Sequence, residues 1–464
     1  MTQLSGRDLA MPSSRMSARP AARGELLGHP RGLGYIAGTE LWERISFHGM
    51  QALLLLYMVG ELLRPGHIEH ILGFGGFRSA LELVTGRLSV QALASQIFGL
   101  YIGFVYLMPV IGGALGDRLI GRRRAVALGA LSMTIGHFCM AFEATFLIAL
   151  LLLVIGAGLL RGNLISQLGE LYARDDPRRE SGFQIYYSML NSGAFVAPLV
   201  TGALEARFGW HYGFGFAGIG MLLGLLIYRT GRAYIPADLA RRETRARRLS
   251  ASERRVVFFM ASMLPLLTAF WVAQSQIWNT YNLWARDHLD LMVGAHQLPV
   301  PWLQAIDSLA VIVLVAPILR FWRWQQARGQ EPDDLAKMAI GCLLFGLAVA
   351  WLAASQLVAP DPGTVPLSWA IAYHFFSGVG YIYFAPTAIA VFSRSAPAAV
   401  NASMVGIYYL SMFAGGIICG RIGGLYEQVS AGRFWSLHAV IVSAGGVALL
   451  LVAPRLRREL GMRR

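Results

Sequence analysis

Residues 40–51 read Glu40-Leu-Trp-Glu43-Arg44-Ile-Ser-Phe-His48-Gly-Met-Gln51, inside a stretch that otherwise has the composition of a membrane span. An ionised group at the centre of such a span costs several kcal/mol unless it is paired or faces water. Positions 40, 44, 48 and 51 follow the helical period, so their side chains form one stripe that must face a polar interior. Glu40 and Arg44, four residues apart, can pair directly. A carboxylate held this way, Glu40 or Glu43, is suited to taking up and releasing a proton. His48, whose imidazole titrates near neutrality, is a third candidate for that work. A purely scaffolding ion pair and a hydrogen-bonded structural histidine are the plainer alternatives. Asp307, a short way into another apolar run, is a functional candidate on the same ground, unless the helix starts late enough to leave it in solvent.

These residues need spanning helices to hold them, and the composition supplies them. The chain has 464 residues, 55% hydrophobic and 14% charged. A soluble domain carries about 25% charged residues. Nearly uncharged stretches at 97–116, 142–160, 212–228, 339–358 and 434–453 are each long enough to cross about 30 Å of hydrocarbon. The net charge of +14 resides almost wholly in arginine, with Lys337 the one lysine, and concentrates in particular loops rather than in a nucleic-acid-binding face. Cys139, Cys342 and Cys419 fall in separate apolar segments, which argues against a disulfide framework or a metal site.

Twelve spans are predicted, near 35–62, 91–116, 122–142, 145–171, 182–205, 212–230, 255–285, 300–323, 335–356, 367–391, 400–424 and 433–454. Alternate connections are basic: Arg118 with Arg122, Arg123 and Arg124; Arg174 with Arg178 and Arg179; 229–255; Arg320 to Lys337; and Arg455 to Arg464. The positive-inside bias puts these loops and both termini in the cytoplasm. Residues 1–33 read as a disordered cytoplasmic tail and 456–464 as a second tail. The hydrophilic stretch 231–254 divides a six-helix bundle at 34–230 from another at 255–455, the architecture of the major facilitator fold. It is too short and too charged to hold an extra inserted helix pair. Segment 64–90 is an outer-side insertion that reads as a short surface helix.

Residues 113–124, Gly113-Ala-Leu-Gly-Asp117-Arg118-Leu-Ile-Gly-Arg122-Arg-Arg124, follow the second span directly. They resemble the major facilitator signature between the second and third spans, which implies a gating role for Asp117 and Arg118 at the cytoplasmic face. Glu40-x-x-Glu43-Arg44 in the first span is similar to the hallmark of the proton-dependent oligopeptide transporter family. A second block agrees: Gly158-Leu-Leu-Arg161-Gly-Asn163, Gly169-Glu-Leu-Tyr172, Asn191-Ser-Gly-Ala-Phe195-Val-Ala-Pro198 and Gly209-Trp-His-Tyr-Gly-Phe214. Phe270-Trp271 with Gln276, Lys337, and Gly380 with Pro386 extend the likeness over nearly all of 35–425.

The resemblance implies a proton-coupled symporter of di- and tripeptides, in a bacterial inner membrane, working as a monomer with no cofactor. It also implies substrate contacts from Arg161 to a carboxylate and from Asn191 to the peptide backbone, though a helix–helix hydrogen bond explains Asn191 equally well. The departures fall on the same site. Gln51 and Ser275 replace the arginine and the acid that commonly pair across the first and seventh spans, so that pair cannot gate this protein. Arg161 replaces a lysine and brings a planar fork suited to a carboxylate. Tyr381 stands where the tenth span usually carries a glutamate for the peptide amine. Asp307-Ser308 replaces Asn-Pro in the eighth span, and Asp307 is expected to take over from that glutamate, binding an amine or pairing with Arg161. Trp278, Tyr381 and Tyr408 are expected to lend aromatic surface to the cavity, although each aromatic side chain is individually commoner as packing. His137 and His374 are read as packing too.

Two other functions stay open. One is transport of a non-peptide organic anion or amphipathic metabolite; the other is a membrane sensor without net uptake. No phosphate-binding loop supports an ATP-driven pump, and no triad or metal cluster supports an enzyme.

Overall fold

A computed structural model describes residues 24–173, 175–238, 249–359, 361–397 and 400–461, without the side chains of 401–403. Those residues are mostly helical, and ten of the helices are long and apolar enough to cross a membrane. The expected disordered tail over 1–33 is partly replaced by order. Residues 1–23 lie outside the described residues, but β1 (Glu25–Leu26) and β2 (His29–Pro30) form a small hairpin that leads straight into α1 (Arg31–Tyr57). The hairpin is fastened by an ion pair between Arg178 and Glu25 at 2.7 Å and by a hydrogen bond between His29 and Tyr172 at 2.9 Å.

α1 continues through a π turn, Met58–Leu62. Segment 64–90 then makes a 3-10 turn (Ile68–His70) and α2 (Phe74–Thr85). Buried Ile71, just before α2, and Phe74 at its start hold the segment against the bundle, while Leu83 and Val84 stay exposed. α3 (Val90–Leu115), α4 (Arg122–Cys139), α5 (Phe146–Glu170), α6 (Arg179–Phe208) and α7 (Trp210–Thr230) follow. α4 and α6 are long but less apolar. α4 opens on three arginines, and α6 carries Arg179, Glu180, Asn191 and Glu205.

In the second half, the single helix expected at 255–285 is instead a broken one, α8 (Ala251–Ser262), α9 (Leu264–Ser275) and α10 (Thr280–His288). Pro265 lacks an amide N–H and so fits the first turn of α9, where none is needed. The second break falls at Asn279, whose backbone (φ −104°, ψ −115°) is not helical. α11 (Trp302–Ala327), α12 (Asp334–Val358), α13 (Leu367–Ser395), α14 (Asn401–Gly423) and α15 (Ala431–Leu460) complete the chain. Of the 231–254 connection, 239–248 lie outside the described residues. Its beginning is tied back, with Asp238 accepting the Arg123 backbone N–H at 2.9 Å and the Pro236 carbonyl accepting from the Arg123 side chain at 2.7 Å.

α1 packs on α6 and α7, α5 on α3 and α4, and α12 on α13 and α15. The most extensive contacts between the first half and the second are α3 on α14 and α6 on α11. The first is glycine against glycine: a Cβ at Gly99 would run into the backbone of Gly416 and Gly420. Side-chain hydrogen bonds reinforce these contacts at the end remote from the arginine-rich loops. Gln91 donates to the Gly423 carbonyl at 3.0 Å, Asn279 to Ser95 at 2.6 Å, and Trp302 to the Leu199 carbonyl at 3.0 Å. Leu, Ile and Val on α4, α5, α7, α11 and α15 remain exposed, the surface a bilayer would cover.

Candidate functional site

The stripe on α1 is turned inward: Glu40, Glu43 and Gln51 are buried, and Arg44 and His48 nearly so. Helical spacing brings Arg44 Nε to Glu40 Oε1 at 2.7 Å, as the four-residue interval requires, and to Glu43 Oε2 at 3.0 Å. α5 adds a second cation. Arg161 donates from Nε to Glu43 Oε1 at 3.0 Å, with its Nη2 at 2.9 Å from the same oxygen. Glu43 is thus shared by two arginines, and the four groups together carry no net charge. The Arg161 guanidinium also lies 4.0 Å from the centre of the Phe47 ring, a cation–π contact that strengthens out of water. α6 reaches this cluster closely because Gly193 has no side chain; a Cβ there would sit 2.7 Å from the Arg44 Cβ and the Leu41 carbonyl. Asn191, half-buried, precedes it on the same helix.

His48 lies one turn along from Arg44. Its ring tilts against that of Trp278, with centroids 5.3 Å apart, and its buried Nδ1 has no hydrogen-bond partner among the described residues. Gln51 and Ser275 are both buried, neutral polar groups in place of an ion pair.

Asp307 comes from the second half of the chain. It stands on α11, largely buried, with its Oδ1 3.5 Å from His374 Nδ1. His374 Nε2 is hydrogen-bonded to the Tyr281 hydroxyl at 2.9 Å, and Tyr281 stacks on Tyr373. Arg161 pairs with Glu43 here, while Asp307 stands beside His374, whose Nδ1 has no hydrogen-bond partner among the described residues. The packing role read for His374 understates it, since it links Asp307 to Tyr281. A signal was available: His374 and Tyr381 are seven residues apart and share one helix face. Tyr381 and the buried Tyr408 both set their rings edge-on to Trp271, at 6.4 Å and 6.2 Å.

Asp117 and Arg118 lie in the π turn after α3. Asp117 pairs with Arg122 at 2.5 Å, and Arg122 reaches on to Glu170 at 2.5 Å, so Glu170 joins a cluster that the signature alone does not name. Lys337 pairs with Glu331 at 2.5 Å and covers the Trp322 ring at 4.2 Å.

Spanning helices that turn paired charges inward, and pack two halves against each other around them, define a membrane transporter of the major facilitator kind. The chain belongs to the POT family, whose model matches residues 123–243 and 233–435. It is 28% identical to the peptide transporter YePEPT of Yersinia enterocolitica, over 92% of this chain and 94% of that one. It is 27% identical to the uncharacterized transporter YclF of Bacillus subtilis, over 93% and 95%. A di-/tripeptide transporter of Lactococcus lactis shares 22%, over 94% and 97%. Among solved structures, peptide transporter POT in complex with sulfate superposes with a TM-score of 0.80 at 27% identity, covering 94% of this chain and 97% of that one. A POT family transporter in complex with 5-aminolevulinic acid, at 23% identity, has the same fold with a TM-score of 0.79.

Proposed function

We propose that the protein is a proton-coupled symporter that imports di- and tripeptides by alternating access. The observation that carries the reading is the position of Glu43 between Arg44 and Arg161. While Glu43 is ionised, Arg161 is occupied. A proton on Glu43 removes both attractions at once, leaving Arg161 to receive a substrate carboxylate and Arg44 to follow Glu40. Proton uptake and substrate binding then favour each other through one side chain, which is what coupling requires. The family relationship and the relatives named as peptide transporters support the substrate class.

In this reading Arg161 holds the peptide carboxylate, Asn191 its backbone and Asp307 its amine, with Trp278, Tyr381 and Tyr408 lining the cavity. Glu40 and His48 assist the proton, and Asp117 with Arg118 belongs to the cytoplasmic gate. The ten apolar spans together with α4 and α6 make twelve, in two six-helix bundles with no inserted pair. The arginine-rich loops place both termini in the cytoplasm of a bacterial inner membrane, and the working unit is a monomer.

A second reading keeps the coupling and changes the cargo. Tyr381 cannot neutralise an ammonium, so a non-peptide anion held by Arg161 alone fits the same site. Uptake of labelled dialanine into proteoliposomes, with and without an inside-alkaline gradient, separates the two. Peptide symport requires gradient-driven uptake that is lost in Asp307→Asn. Uptake indifferent to that substitution removes Asp307 from the site, and no uptake by tight, correctly reconstituted vesicles favours the other cargo.

A further inference from the structure

At the end of the first half opposite the arginine-rich loops, five side chains from four parts of the chain converge. Glu61 comes from the π turn that ends α1. His67 and His70 come from the 64–90 segment, Glu143 from a 3-10 turn (Glu143–Thr145) before α5, and His211 from the first turn of α7. His67 Nδ1 lies 2.5 Å from Glu143 Oε1, and His70 Nδ1 lies 3.2 Å from Glu143 Oε2. His211 Nε2 stands 4.0 Å from Glu61 Oε1. Ligand-capable atoms of Glu61, His67 and Glu143 all fall within 4.8 Å of one another.

The backbone fixes this arrangement independently of the charges. Leu72 donates its N–H to the Ala144 carbonyl at 3.1 Å, which holds the 64–90 segment against the turn that carries Glu143. Buried Ile71 and Phe74 anchor the same segment from below. The donors are therefore presented from three tethered elements rather than from one flexible loop. As surface ion pairs they would contribute little, because partly exposed pairs are worth about 0–1 kcal/mol. Together they offer imidazole nitrogen and carboxylate oxygen to one point.

We propose that Glu61, His67 and Glu143 form a binding site for a divalent transition metal of the zinc class, which clips the 64–90 segment to the ends of α1 and α5. The donor set decides the class. Mixed imidazole and carboxylate suits Zn²⁺, whereas Mg²⁺ and Ca²⁺ take oxygen ligands. Ligand atoms around one Zn²⁺ at about 2.0–2.2 Å lie roughly 3.4 Å apart, so the 2.5 Å contact between His67 Nδ1 and Glu143 Oε1 opens by about 1 Å to admit the ion. Three protein ligands leave a fourth position for water, with His70 and His211 beside it. The site does not depend on what the protein transports.

The test is titration of Zn²⁺ into the purified full-length protein in detergent, carrying no histidine tag, followed by calorimetry and by thermal unfolding. We expect one tight equivalent per chain and a saturable rise in the unfolding midpoint, since an ion that binds only the folded state stabilises it. His67→Ala and Glu143→Gln should each weaken binding by at least about tenfold and abolish the rise. His296→Ala, in the exposed hairpin β3 (Met292–Val293) and β4 (His296–Gln297), should change neither, and Mg²⁺ should not substitute. Absence of a one-to-one site, or a site equally strong in His67→Ala, overturns the proposal. His67 is 43% exposed, so that variant tests the idea even if Glu143→Gln fails to fold.

Discussion

Replacing Glu43 with glutamine removes a charge while keeping the shape, and its effect follows from the contacts at that position. Glu43 meets Arg161 through Oε1 at 2.9–3.0 Å and Arg44 through Oε2 at 3.0 Å. Separating one partner from a buried ion pair costs about 3–5 kcal/mol. Under the proposed coupling, a substrate carboxylate must overcome that cost at Arg161 unless a proton has already neutralised Glu43. At 1.36 kcal/mol per tenfold, the proton strengthens substrate binding by between about a hundredfold and a few thousandfold. Glu43→Gln gives this advantage permanently, with no proton consumed. Exchange of labelled for unlabelled dialanine across a vesicle membrane, which needs no net proton movement, should therefore persist. Accumulation driven by an inside-alkaline gradient should fall by about a hundredfold or more, and dialanine binding should lose its pH dependence. A folded variant that still accumulates dialanine at a rate near wild type refutes the assignment of Glu43 as the coupling group. Loss of exchange together with accumulation refutes the mechanism differently, by showing that the charge itself is needed for binding.

Three further outcomes follow from other parts of the molecule. Gly99→Ala should lower thermal stability by about 1–3 kcal/mol, despite alanine's better helix propensity, because its methyl group meets the Gly416 and Gly420 backbone. Gly76→Ala in α2, with open space around it, should stabilise by up to about 1 kcal/mol in the same measurement. Hydrogen bonds from the Arg178 side chain and backbone N–H hold the Asp176 carboxyl below its usual range. A depressed carboxyl stabilises the folded turn above its unfolded pKa and loses that effect as pH falls through the folded value. Hydrogen-exchange protection of 175–179 should thus be weaker in Asp176→Asn than in wild type at pH 7, and the two should converge in acid; equal protection at pH 7 excludes the anchor.

What could be read beforehand divides by distance along the chain. The α1 stripe was legible because helical periodicity is local, and the Glu40–Arg44 pair is a four-residue relation. The pairing of Glu43 with Arg161 spans 118 residues, and no periodicity reports it. The contact of Asp307 with His374 likewise joins two separate helices, α11 and α13, and no local pattern marks it. The break within 255–285 was half visible, since Pro265 can be seen and Asn279 looks like any other polar residue. The Glu61, His67 and Glu143 group has no local signature, because its members come from three connections with no recurring spacing.

The seam of Gly99 against Gly416 and Gly420 has a consequence for motion. Main chain meeting main chain fits at short range but hides little hydrocarbon, so its parting strands little apolar surface in water. Such a joint has strong preferences about shape and weak ones about strength. It resembles a machined face rather than an adhesive one: either seated or apart, with a small difference in energy between the two. The alternating access proposed above is well served by that property, because such a joint can part and reseat with little change in energy.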